Sequence, residues 1–222
     1  MKTRYDRIAL VLLSAALAFT AVTPAAADVA SGAATAGTVA AEKTNPTYDA
    51  ALARRVLVAQ GVLKQSQTTT TGLKKKVSRQ EFAKMLVQLS PYKDKVGTTV
   101  QTSMYSDVKR TSAYAPYIRI AVENGWMKGN LSGKFRPKQA VTLQESVAAV
   151  LAVLGYEDSD FKGSLASAKM SFYKAQKLDT NIRKKASAAM TYRDMSCLLY
   201  NMQVTADKSG TIYARSLNYT LD

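Results

Sequence analysis

The feature that most constrains this chain is a spacing that occurs twice. Gly61 and Val77 are 16 positions apart, and so are Gly125 and Val141. Each glycine follows an amphipathic pattern, and each valine precedes a Ser/Thr-x-x-Glu box, Ser78 with Glu81 and Thr142 with Glu145. In such a box the hydroxyl accepts a helix amide and the acid reaches back to the cap amide, so a helix starts there. A third copy reads Met190-Thr191-Tyr192-Arg193-Asp194, with an aspartate expected to be too short to complete the box. Internal repeats of this period predict a mainly α protein of three helix-loop-helix units.

The middle unit is the most complete. Ile118, Ala121 and Val122 form an apolar face, Gly125 ends the helix, and Gly129 and Gly133 are expected to supply positive φ in the loop MKGNLSGK. Counted from each cap, positions +4, +7, +8 and +11 are Phe82, Met85, Leu86 and Leu89, then Ser146, Ala149, Val150 and Val153, then Met195, Leu198, Leu199 and Met202. Each helix thus buries one stripe, widened in the second by Val147, Leu151 and Leu154.

The pattern divides the chain into repeats at 47–104, 105–157 and 158–204, with a tail at 205–222. Leu52, Val56 and Ala59 give the first helix of repeat one its face, and a polar Thr/Lys-rich loop follows Leu63. The first helix of repeat three carries Met170, Tyr173 and Leu178, and its loop is shorter and lacks glycine. In the tail, a Lys-Ser-Gly turn between β-prone residues gives a weak hairpin signal.

Ahead of the repeats, Lys2, Arg4 and Arg7 precede an apolar run from Ile8 to Val22, then Pro24 and Ala25-Ala26-Ala27, the pattern of a cleaved signal peptide at 1–27. The alternative, an uncleaved membrane anchor, would need roughly 20 apolar residues. Residues 28–46 have the small, polar composition of a flexible linker. Loss of the leader removes Lys2, Arg4, Arg7 and Asp6, lowering the net charge of +15 to +13. An exported cation of this size suits an anionic wall polymer or lipid surface better than nucleic acid.

The sequence has no histidine and one cysteine, Cys197, set in the apolar MSCLLYNM. It reads as a core thiol rather than a nucleophile, and no cofactor or metal is expected. Acidic residues are sparse, leaving no convincing carboxylate pair for hydrolysis.

Ser-Asp-Val before the first helix, G-x-x-x-G and G-x-F-x-P in the loop, and V-[ST]-x-x-E at the second helix resemble the S-layer homology family. In repeat two the matching residues include Asp107, Val108, Gly125, Gly129, Gly133, Phe135, Pro137, Val141, Thr142 and Glu145; repeat one matches at Gly61, Val77, Ser78, Arg79 and Glu81. The resemblance implies a pseudo-threefold bundle with ligand grooves between repeats. It also implies noncatalytic anchoring of exported proteins to secondary cell-wall polymers, often pyruvylated. The arginine of the family's T-R-A-E motif is kept only as Arg79; Leu143 and Tyr192 replace it, and Arg193 falls one residue late.

The expected glycan site is one groove between the first two repeats. Arg79 and Asp107 would contribute to it, with Lys128, Gly129 and Arg136 in the basic loop and Trp126 stacking on a sugar. The alternatives are that Asp107 caps its own helix and Trp126 is core. With arginine lost twice, a protein-interaction module with degenerate glycan sites is the competing function.

Overall fold

The computed structural model describes residues 48–98 and 100–217. The leader, the linker and the last five residues lie outside them. The described residues are mainly helical: α1 Ala50–Ala59, α2 Thr70–Lys74, α3 Arg79–Gln88, α4 Ala115–Glu123, α5 Leu143–Val153, α6 Leu165–Ala175, α7 Tyr192–Val204 and α8 Tyr213–Ser216. None of them is long and apolar enough to cross a membrane.

The capped helices α3, α5 and α7 start as their sequences require. The Ser78, Thr142 and Thr191 side chains accept from the amides of Glu81, Glu145 and Asp194. The third box is complete, contrary to the expectation for aspartate: the Thr191 amide donates to the Asp194 carboxylate at 3.0 Å. The cap amide sits close enough to N3 for the shorter acid to reach. The three stripes are buried as expected, except that Val153 is only partly covered.

The segments before these helices meet. Val77 N–H donates to the Met190 carbonyl at 2.9 Å, Met190 N–H to Val141 at 2.9 Å, and Val141 N–H to Val77 at 3.0 Å. The bonds form a closed cycle, and all three side chains are fully buried. Antiparallel bridges Ser78↔Ala140, Thr142↔Ala189 and Lys76↔Thr191 flank it.

Helix packing follows the same cycle, displaced by one unit. The first helix of each sequence repeat packs on the second helix of the preceding one: α4 on α3, α6 on α5, and α1 back on α7. The last contact ties the two ends of the described chain together. Ala53 and Val56 pack with Tyr200, and the Tyr48 hydroxyl donates to Asn201 at 2.7 Å. On α1 the buried face is Ala53, Val56 and Leu57, whereas Ala59 is exposed. α1 turns this face because it serves α7 rather than its own loop.

Three local expectations change. The loop after Leu63 contains α2, whose cap Thr69 accepts from the Gly72 amide. Repeat three, which lacks the closing glycine, places Lys177 at φ 57°, where Gly61 and Gly125 have 73° and 71°. The following Leu178 N–H returns to Tyr173, as Trp126 returns to Ala121. In the tail the hairpin signal becomes a turn closed by one bridge, Ala206↔Ile212, followed by α8. Tyr213 is buried there and donates from its hydroxyl to the Leu89 carbonyl.

Cys197 is fully buried, and burial raises its thiol above the ordinary range. In the folded protein it should resist a thiol reagent at pH 8 and react at once in denaturant, as followed by absorbance. Thr142→Ala should cost about 1 kcal/mol through loss of the cap, a fall of about 3 °C in Tm by calorimetry.

Candidate functional site

Among the described residues a groove of about 780 Å³ opens to the surface. Its walls are the 124–129 loop and α5 on one side and the start of α6, with residues 155–158, on the other. It therefore lies between repeats two and three, and Arg79 is the only residue of repeat one on its lining. The expected groove lay between the first two repeats. The displaced packing sets the position of this one: α6 of repeat three lies against α5 of repeat two.

Arg79 is 3% exposed and already engaged. Its Nε donates to the Phe135 carbonyl at 2.8 Å, Nη2 to the Lys128 carbonyl at 2.7 Å, and Nη1 to Glu145 Oε1 at 2.9 Å. The guanidinium also stacks 4.7 Å from the Phe135 ring centroid. Burial pulls its pKa below the ordinary value, while Glu145 acts in the opposite sense. Its fork fixes the floor of the groove to the cap of α5, so its first role is positional.

Asp107 is not part of the groove lining. Its two oxygens accept the amides of Phe135 and Arg136 at 2.8 and 2.7 Å, so it caps neither its own helix nor the groove. Arg136 is held at φ 58°, a conformation unfavourable for an L residue, and those two bonds fasten it. Its exposed side chain consequently reaches the groove, 4.0 Å from Glu145.

Gly129 has no positive φ, contrary to expectation; Gly133 does, at 68°. Glycine is required at 129 by close approach: a Cβ there would lie 2.2 Å from the Tyr105 ring, whose hydroxyl accepts the Gly129 amide. Trp126 is 9% exposed and meets Tyr92 edge-on at 5.8 Å, so it packs in the core and shows the groove only an edge. Lys128 is exposed at the mouth.

The caps communicate. The first residue of one helix addresses the cap acid of a neighbour: Arg79 bonds Glu145, and the Tyr192 hydroxyl bonds Glu81 at 2.8 Å. Burial, then the bond to Glu81, raises the Tyr192 phenol pKa. Leu143 cannot make the corresponding bond, and Lys184 pairs with Asp194 at 3.1 Å instead. Sequence reasoning missed Lys169 and Met170, which line the groove from α6. The only available signal was their helical spacing, which does not reveal a partner from another repeat.

Fold and site together define a helical protein of three capped helices whose loops build a groove lined by both cations and carboxylates. Residues 105–145, which supply the loop, its Asp107 fastening and the α5 cap, match the S-layer homology domain. The chain is similar to the "Middle cell wall protein" of Brevibacillus brevis, 30% identical over 122 residues, covering 54% of this chain and 12% of that protein. It is also similar to the "Surface layer protein" of Brevibacillus choshinensis, 30% identical over 118 residues, or 52% of this chain and 11% of that protein. The chain thus spans about a tenth of the length of these relatives.

Arg79→Met should destabilise the fold by about 2–3 kcal/mol in urea unfolding, because two carbonyls and Glu145 lose their donor. Arg79→Lys should recover little of the loss, since a single ammonium cannot span the three acceptors.

Proposed function

We propose that this chain is exported and holds itself noncovalently to the cell wall, binding an acidic secondary polysaccharide in the groove between repeats two and three. The observation that carries this reading is the composition of the groove. Arg136, Lys128 and Lys169 place cations around a partly apolar floor that includes Met127 and Met170. A sugar bearing an acidic group offers such a surface a charge and a carbon face together, and pyruvylated sugars belong to that class. The chemistry asked of the site is binding. Of the three acids on its lining, Glu145 is already used by Thr142 and Arg79 and Asp158 by Lys169, and the full sequence has no histidine to act as a base.

The competing reading is a protein-docking module with degenerate glycan sites. It is favoured by the burial of Leu143 and Tyr192 in the positions where the family carries its arginine. Sedimentation with purified sacculi, before and after chemical removal of the secondary polymer, separates the two. Binding should be lost with the polymer; binding that persists would favour the protein partner.

Arg136→Gln combined with Lys128→Gln should weaken sedimentation about tenfold at 50 mM salt while leaving the melting curve nearly unchanged, because both side chains are exposed. Wild-type binding should fall as salt rises.

A further inference from the structure

At the mouth of the groove one carboxylate joins two cations that come from different elements. Asp158, in the short 3₁₀ turn Asp158–Asp160, accepts from Lys169 Nζ of α6 at 2.5 Å through Oδ1. Through Oδ2 it faces Lys128 Nζ of the opposite wall at 3.5 Å. Asp158 remains half exposed, so this is not a buried structural pair. Lys169 is the anchored partner: its side chain is 15% exposed and its ammonium lies 5.5 Å from the Phe161 ring centroid. Lys128 is fixed through its backbone, whose carbonyl takes the Arg79 Nη2 bond. Among the described residues, neither lysine has another acid within ion-pair distance. The neighbouring Asp160 is occupied by Lys208, at 2.7 Å.

We infer that Lys128 and Lys169 form a carboxylate subsite of the groove and that Asp158 fills it as an internal surrogate, which a ligand's own carboxylate must displace. The inference rests on the wall-binding reading and assigns that ligand a chemistry. Two ammonium groups already meet one on each oxygen of a single acid here, and a ligand carboxylate would find the same two donors. A tethered carboxylate competes at high effective concentration, so it weakens every acidic ligand and excludes those without a second hold in the groove. Asp158 therefore sets a threshold: only a polymer that also engages the Arg136 end outcompetes it. The hydrogen bond from Lys169 also keeps the Asp158 carboxyl below its ordinary pKa, so the surrogate stays charged at neutral pH.

The test uses secondary polymer released from Brevibacillus brevis sacculi, in native form and after chemical reduction of its carboxyl groups. Binding to the mature chain is measured by titration calorimetry. Asp158→Asn, with Asp158→Ser as a second variant and melting curves to verify folding, should bind the native polymer about two- to fivefold more tightly than wild type, the scale of one partly exposed ion pair. The gain should vanish with the reduced polymer and when Lys169→Met is added. Equal or weaker binding by both Asp158 variants, with wild type still binding, would overturn the surrogate and leave the groove reading intact. A gain that survives carboxyl reduction would also overturn it. No binding by any form would overturn both.

Discussion

Everything else in this molecule hangs on the closed cycle of hydrogen bonds among Val77, Val141 and Met190. A buried amide or carbonyl left unpaired costs about 1–3 kcal/mol, so three segments that each supply one donor and one acceptor stabilise one another or none of them does. No single repeat satisfies its own valine or methionine. The cycle explains why the unit recurs, and why the helix packing is displaced by one unit: once the three cap segments converge, each first helix lies nearest the second helix of its predecessor. The α1 to α7 contact closes this order with a long-range seam of Tyr48, Asn201, Gln60 and Gln203.

A second relay rests on the first. Because the cap segments are held together, the first residue of α3 lies beside the cap acid of α5, and that of α7 beside the cap acid of α3. Arginine and tyrosine both satisfy the geometry, one as a charged fork and one as a phenol. Leucine satisfies only the packing, and Lys184 then supplies the missing donor to Asp194 from a different loop. Variation at the arginine position is thus explained without reference to a ligand: the position links caps, and several side chains meet that need by different means.

Periodic features were legible in the sequence, and features produced by convergence were not. The caps, their stripes and the glycine before Trp126 follow from residue type at fixed spacing, and each is present. Asp194 was misjudged because side-chain length was considered without the local turn that brings Thr191 to it. Lys177 closes a helix in the left-handed region with no glycine to announce it. The basic loop was readable, but the opposite wall of the groove was not, because Lys169 and Asp158 belong to the next repeat and only the displaced packing brings them there. Asp107 was singled out by the Ser-Asp-Val pattern, which does not reveal that its two oxygens accept amides 28 and 29 residues away.

The division between scaffold and recognition follows from these constraints. Arg79 is the residue that the family pattern makes most conspicuous, yet it is buried and three of its donors are spent on the scaffold. The other cations of the groove are Arg136, in a loop fastened by Asp107 and 4.0 Å from Glu145, Lys128 at the mouth, and Lys169, on a helix from the adjoining unit and paired with Asp158. A change at any of these alters the charge of the groove without opening the central cycle, whereas a change at Arg79 disturbs both. The charge of the groove can therefore be altered while the three-cap core remains.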